Sequence, residues 1–248
     1  MSERRWTGVG ARRFRRASAV LVVAALLLGL NWVPTGYFAV YPGPVRSLQG
    51  VVTVDGKAAP GTSFYMVSVL AREANVYGLF QAVVDPKAVV WSRRDVYGDR
   101  TTDQYVADSK TSMEHSQDTA AHLAFLESGF EVAPDGDLPL RYSVKTGEVL
   151  GPSAGLAFAL EMVSTLTGRD LARGRRVVAT GVLDGQGRVA PVGGIAQKSI
   201  ACRENGIEVF IVPRENAEEA TRSGGSVTVV GVATLRDALR YLLGRDTP

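Results

Sequence analysis

The sequence predicts a mixed α/β domain that is preceded by one N-terminal transmembrane helix. Three observations predict it. Apolar residues make up 46% of the 248 residues and charged residues 21%, which is the balance of a folded globular protein. From about residue 139 onward, short runs of β-forming residues alternate with longer runs of helical periodicity. At the other end of the chain, an arginine-rich arm is followed directly by an uncharged apolar run.

The N-terminal residues are typical of a membrane anchor. Residues 1–16 contain six arginines and one glutamate, so this arm has a net charge of +5. Because the whole chain has a net charge of +3, the rest of the chain has a net charge of −2. Residues 17–33 are uncharged and mostly apolar, and as a helix they reach about 25 Å. Because basic flanks stay in the cytoplasm, we predict a cytoplasmic arm at 1–16 and a single transmembrane anchor at 17–36. A cleaved secretory signal is the alternative.

Charge and residue content exclude several classes of function. The part of the chain after the arm is mildly acidic, so we expect no nucleic-acid partner. Cys202 is the only cysteine, which rules out an intrachain disulfide. His115 and His122 are seven residues apart on a predicted helix, without a Cys, Asp or Glu cluster of metal-ligand spacing. We therefore expect neither a metal nor another cofactor.

Beyond the anchor, residues 40–48 are rich in Pro and Gly and predict a linker. We expect an N-terminal extracytoplasmic region at 40–130 and a second domain at 131–248. Between residues 71 and 110 we expect short helices and one strand. Alternating or continuous apolar runs predict strands at residues 51–54, 63–70, 140–145, 177–183, 208–212 and 227–230. Helical periodicity, with glycine stops, predicts helices at residues 112–128, 152–166, 195–205, 215–222 and 235–243.

Small residues crowd the junction before the helix at 152–166, where the chain reads GPSAG. Backbone N–H groups at the start of a helix are free, and the helix dipole there favours negative charge. A serine in this first turn, Ser153, is therefore well placed as a nucleophile beside an oxyanion site. The alternative is that Ser153 only caps the helix.

A nucleophilic serine needs a base, and Lys198 is the best candidate. It follows the uncharged stretch PVGGIAQ and has apolar neighbours, so burial can lower its pKa from about 10.4. The alternative is an ordinary surface lysine whose apolar stem covers the helix. The two histidines share one helix face and support no catalytic triad. Cys202, one turn after Lys198, is interpreted as a small core residue.

Taken together, these segments resemble the proteolytic domain of the Lon-type serine proteases over about residues 139–220. The resemblance implies a Ser–Lys dyad in which Ser153 is the nucleophile and Lys198 the base. The two lie 45 residues apart, close to the family spacing. Thr180 would lie beside the lysine amine, and Gly151, Pro152 and Ala154 would support the nucleophile. The matching segments are GPSAG at 151–155, TG at 180–181 and PVGGIAQK at 191–198.

The arrangement also resembles membrane-anchored, extracytoplasmic bacterial members of that family, which often carry a PDZ domain. Here about ten residues separate the helix at 112–128 from the strand at 140–145, so no PDZ domain fits. The chain has no G-x-x-x-x-G-K-[ST] motif, so ATP-driven unfolding is not expected. The resemblance implies an ATP-independent serine endopeptidase of the cell membrane. The same resemblance implies that it cleaves peptides or flexible protein segments outside the cytoplasm and that it can form a homo-oligomer.

Three other functions stay open at this point. A catalytically silent peptide-binding or scaffold module could share the Lon-type fold. A nucleotide binder is suggested by the G-x-G-x-x-A pattern at 185–190, but Pro191 breaks the helix that this motif needs next. A purely structural membrane protein explains the anchor but not the paired motifs.

Overall fold

A computed structural model gives the fold of most of the chain. Nine of the twenty residues of the predicted anchor at 17–36, and the whole basic arm, lie outside the described residues. Where the structure describes the chain, no helix combines the length and the apolar character needed to span a bilayer. The residues that the structure describes are 18, 19, 21, 22, 25, 29, 32–61, 64–133, 137–147 and 151–244.

A six-stranded mixed sheet forms the centre of the fold, with strand order β10-β9-β6-β3-β1-β4. Strands β3, β6, β9 and β10 run parallel, and β1 is antiparallel to both β3 and β4. Two small antiparallel pairs, β2 with β5 and β7 with β8, lie outside this sheet. The strands are β1 (Pro34–Ser47), β2 (Val52–Val54), β3 (Tyr65–Asn75), β4 (Val89–Ser92), β5 (Tyr142–Val144), β6 (Val177–Ala179), β7 (Val182–Leu183), β8 (Val189–Ala190), β9 (Val209–Pro213) and β10 (Thr228–Val232).

Helices cover both faces of this sheet, which confirms the predicted mixed α/β class. On one face, α3, α4 and α7 share a core with the side chains of Val177 and Ile211. On the other, α5 and α6 pack against Val178 and Phe210, the next residues along the same strands. The helices are α1 (Val76–Val84), α2 (Arg93–Tyr97), α3 (Thr102–Glu127), α4 (Gly155–Thr167), α5 (Ile195–Glu204), α6 (Ala217–Gly224) and α7 (Leu235–Leu243).

The predicted linker at residues 40–48 is wrong, because residues 34–47 form the long strand β1. Residues 34–36, assigned by sequence to the end of the anchor, are the first residues of that strand. Prolines in β1 are tolerated because its pairing with β4 ends at Val40, so one edge is open from there on. Gly43 lies at a register shift, where a Cβ would be only 2.5 Å from the carbonyl oxygen of Ser68.

The predicted helix at 112–128 is part of a longer one, α3, which begins at Thr102. A capping box starts it: the Thr101 hydroxyl accepts the Gln104 N–H, and the Gln104 side chain accepts the Thr101 N–H. The signal T-x-x-Q is in the sequence, but the apolar periodicity that predicted the helix begins only later. The buried face of α3 contacts the turn at Pro152–Ala154, which contains the candidate nucleophile Ser153.

The two regions expected on either side of residue 130 share one sheet and one core. Strands β1, β3 and β4 precede residue 130, and β6, β9 and β10 follow it. Phe64 and Phe125 are buried in the same cluster as Leu156 and Leu160 of α4. The structure therefore does not separate the described chain at residue 130.

Candidate active site

The nucleophile candidate Ser153 lies in a single 3-10 turn, Pro152–Ala154, that leads into the buried helix α4. Two contacts from α3 hold this turn. The Ser116 hydroxyl donates to the Pro152 carbonyl at 3.0 Å, and the Gly151 N–H donates to the Ser109 carbonyl at 3.4 Å. The turn is followed directly by α4, which is buried along most of its length. The contacts with α3 and the burial of α4 together hold the turn in place.

A break in the predicted strand at 177–183 fixes the backbone of Ser153. The chain leaves β6 after Ala179, and Gly181, at φ 154°, turns it towards β7. The Gly181 N–H donates to the Ser153 carbonyl at 2.8 Å, and the Thr180 hydroxyl donates to the same oxygen at 3.0 Å. Thr180 and Gly181 thus hold the peptide unit that carries the nucleophile.

Lys198 reaches this turn from the opposite side, from the second turn of α5. Its Nζ is 3.3 Å from the Ser153 Oγ and 3.2 Å from the Thr180 Oγ1. The side chain is only 3% exposed, because α5 is buried on most of its surface. Burial, which removes water from the charged amine, lowers the pKa of Lys198 from 10.5 to about 8. Roughly a tenth of the amines are then neutral at pH 7.

Thr180 determines which groups donate and which accept in this cluster of hydrogen bonds. Its hydroxyl donates to the Ser153 carbonyl and so can only accept from the Lys198 amine. A neutral amine has two N–H groups and one lone pair. With one N–H engaged by Thr180, the lone pair is available to the Ser153 hydroxyl.

Cys202, one turn beyond Lys198, is buried in the core formed by α5 and α6. Burial raises the pKa of its thiol to about 12, so the thiol stays protonated at neutral pH. The interpretation of Cys202 as a core residue fits this environment.

A cavity of about 220 Å³ opens beside the Ser153 hydroxyl. Gly151, Pro152 and Ala154 line it on the nucleophile side. Residues 66–69 of β3 line it on another side. They follow Tyr65, which pairs with Val178 of β6, and lie where β3 has moved beyond the end of that pairing. Sequence reasoning missed three further residues of the site, because each comes from an element distant in sequence: Arg46 on β1, Trp91 on β4 and Ser116 on α3.

The remaining candidates lie away from this cluster. His115 is exposed on α3, and His122, two helical turns further along, lines a separate groove with Asp118 and Tyr142. Within the described ranges, no group of three or more His, Cys, Asp or Glu side chains is arranged to hold a metal ion. The G-x-G-x-x-A pattern at 185–190 forms the turn between β7 and β8 and ends in β8, whereas a dinucleotide site needs a helix that begins at this motif.

Replacing Gly181 by alanine is expected to destabilise the protein and misplace Ser153. A Cβ there would lie 2.4 Å from the Val189 Cγ1, at a φ that L-residues rarely adopt. We expect a loss of about 2–4 kcal/mol in the free energy of unfolding, measured by urea denaturation. Gly185→Ala is the matched control, since a Cβ at that position meets nothing within 4 Å. Equal stability of the two variants would contradict the assigned role of Gly181.

Comparison with known proteins finds similarity chiefly over the C-terminal part of the chain. Residues 144–240 match the model of the Lon protease (S16) C-terminal proteolytic domain. A Lon protease of Azospirillum brasilense is 25% identical over 242 residues, which is 96% of this chain and 24% of the relative. One from Chloroflexus aggregans is 34% identical over 98 residues, or 38% of this chain and 12% of the relative.

Lon protease 1 of Thermus thermophilus is 42% identical over 69 residues, or 28% of this chain and 8% of the relative. The chain thus spans a quarter or less of the length of these relatives. The similarity concentrates where the structure places Ser153, Thr180 and Lys198, all of which fall within the matched residues.

Proposed function

We propose that this chain is a serine endopeptidase that cleaves peptides or flexible protein segments with a Ser153–Lys198 dyad and without ATP. The observation that carries the proposal is the buried amine of Lys198, 3.3 Å from the Ser153 hydroxyl at the rim of a cavity. The match of residues 144–240 to a proteolytic domain supports it independently.

In the proposed mechanism, neutral Lys198 takes the proton from Ser153 as its Oγ attacks the peptide carbonyl. The resulting ammonium is held by the Thr180 hydroxyl and then gives its proton to the leaving amine. Lys198, neutral again, takes a proton from water as the water attacks the acyl-enzyme, and it returns that proton to the Ser153 Oγ as the bond between Oγ and the acyl group breaks. The base must be neutral at the start of each half-reaction, and burial of the amine supplies that condition.

The oxyanion is assigned to the start of the 3-10 turn. Pro152 has no N–H, and the Gly151 N–H faces the Ser109 carbonyl at 3.4 Å. The backbone N–H of Ser153 is therefore the donor that we assign to the developing negative charge. A single donor of this kind contributes about 3 kcal/mol to transition-state stabilisation.

Residues 66–69 of β3 are the proposed binding edge for the substrate backbone. They line the cavity where the pairing of β3 with β6 has ended, so an extended peptide can add to the sheet there. Trp91 and Val69 supply apolar surface for substrate side chains. This arrangement suits an unfolded segment rather than a folded domain, because the added peptide has to be extended.

The location and assembly stay predictions: a single-pass cell-membrane protein with the arm in the cytoplasm and the peptidase outside, and one that can form a homo-oligomer.

Cleavage without nucleotide is the experiment that tests the proposal. The full chain in detergent micelles is incubated with an unstructured protein and a metal chelator, and the fragments are identified by mass spectrometry. We expect cleavage at the same rate with and without added ATP. Binding of the substrate without any cleavage would refute the proposal and favour the silent peptide-binding module.

A further inference from the structure

Helix α1 presents an apolar surface to solvent. Its sequence, VYGLFQAVV, contains no charged residue. Ala82 faces inward and packs with Ala39 of β1 and Ala74 of β3. The opposite side consists of Tyr77, Phe80, Val83 and Val84, with Phe80 65% and Val83 71% exposed. We call these four residues the α1 apolar face. A surface helix of a soluble protein normally carries polar side chains on its solvent-facing side.

The α1 apolar face lies beside the point where the apolar run at 17–33 joins the sheet. Pro34, the next residue, pairs with Asn75, which is the N-cap of α1. Paired strands are about 5 Å apart and nine residues of helix extend about 13 Å, so the whole face lies within about 20 Å of that junction. Pro34, which follows the apolar run in sequence, and the α1 apolar face therefore lie at the same end of the described fold.

Aromatic and basic side chains surround the α1 apolar face. Trp32 is 87% exposed, and Tyr37 is exposed on the sheet face that α1 covers, since it pairs with Ala74. Arg72, which pairs with Ala39, is exposed on the same side. Trp and Tyr with nearby arginine are the composition found at the boundary between lipid headgroups and acyl chains.

We propose that the α1 apolar face rests in the surface of a lipid bilayer and holds the domain against the membrane in one orientation. The helix then lies in the membrane plane with its apolar side chains about 5–10 Å below the headgroups. The contact is additional to the predicted anchor and does not depend on peptidase activity.

This orientation leaves the cavity beside Ser153 accessible. Trp91, which lines the cavity, pairs with Phe38, and Phe38 packs on the face of the sheet opposite to Ala39 and α1. The membrane surface would thus lie on one side of the outer sheet and the substrate on the other.

A fluorophore placed on α1 tests the proposal. Phe80→Cys in the full chain is labelled with an environment-sensitive dye, and the protein is reconstituted into vesicles of neutral and anionic phospholipid. The native Cys202 is fully buried, so the label goes to the new thiol, and the wild-type chain, which should take up no dye, checks this. Val106→Cys is the matched control, because Val106 is an apolar residue of α3 that is 44% exposed.

We expect the dye at position 80 to shift its emission to shorter wavelength and to be quenched by spin-labelled lipids at a depth of about 5–10 Å. The dye at position 106 should emit as in water. Three results would overturn the proposal: equal emission at the two positions, a chain that does not associate with vesicles, or a blue-shifted dye at position 80 that lipid quenchers do not reach. The last result would assign the face to a protein partner, such as a second copy of the chain.

Discussion

Replacing Ser153 by alanine is expected to lower kcat for peptide cleavage by about 10⁴–10⁶-fold, because it removes the cavity hydroxyl that lies 3.3 Å from the Lys198 amine. The substitution removes one oxygen from the rim of a cavity, so the fold should be unaffected. The residual rate reflects substrate binding and the oxyanion donor, which the variant retains. Activity is measured with a fluorogenic peptide under conditions of substrate excess.

Ser199→Ala is the control for this variant. Ser199 is the residue next to Lys198 on α5, and its hydroxyl donates back to the Ile195 carbonyl at 2.8 Å. Its loss leaves the dyad in place, so the rate should stay within a few-fold of the native rate. Retention of cleavage by Ser153→Ala would assign the activity to another residue.

Replacing Lys198 by methionine is expected to lower kcat by about 10³-fold or more and, at the same time, to stabilise the protein. Methionine fills nearly the same space without an amine. In the native protein, burial lowers the pKa of Lys198 from 10.5 to about 8, so the amine opposes folding whenever it is charged in the unfolded state. A gain of stability with a loss of activity separates this variant from one that simply misfolds.

The sign of the pH dependence follows from proton linkage. Below pH 8 the amine is charged in both states, and methionine should add on the order of 3 kcal/mol to the free energy of unfolding. Between pH 8 and 10.5 the unfolded state binds more protons than the folded state, so the native protein gains stability and the advantage of the variant fades. Urea denaturation at about pH 7 and pH 10 measures this. An advantage that is equal at both pH values would contradict the buried-amine account.

The sequence predicted the C-terminal half of the fold well, and the reason is local. Three of the four helices described there, α4, α6 and α7, are followed directly by a glycine, and α5 ends two residues before Gly206. Strand β1 was missed because the Pro and Gly residues that usually mark a linker are accommodated by an open edge and a register shift. Whether a strand edge is open depends on its neighbours, which the local sequence does not reveal.

The candidate site divides in the same way. The roles of Ser153 and Lys198 were inferred from local composition and a family resemblance, whereas the role of Thr180 came from the resemblance alone. Ser116 and Trp91 enter the site from α3 and β4, far away in sequence, and no local pattern distinguishes them from ordinary core or surface residues. Their contribution became visible only once the tertiary contacts were known.

The pH dependence of Ser153 acylation tests most directly whether a neutral, buried amine activates this hydroxyl. The native chain and Lys198→Met are treated with a fluorophosphonate across about pH 6–10, and the modified residue and its rate of formation are measured by mass spectrometry. We expect an adduct on Ser153 whose rate rises with pH, levels off above a pKa of about 8, and is nearly lost in Lys198→Met. A rate that is independent of pH, equal in the two proteins, or found on another residue would contradict the account.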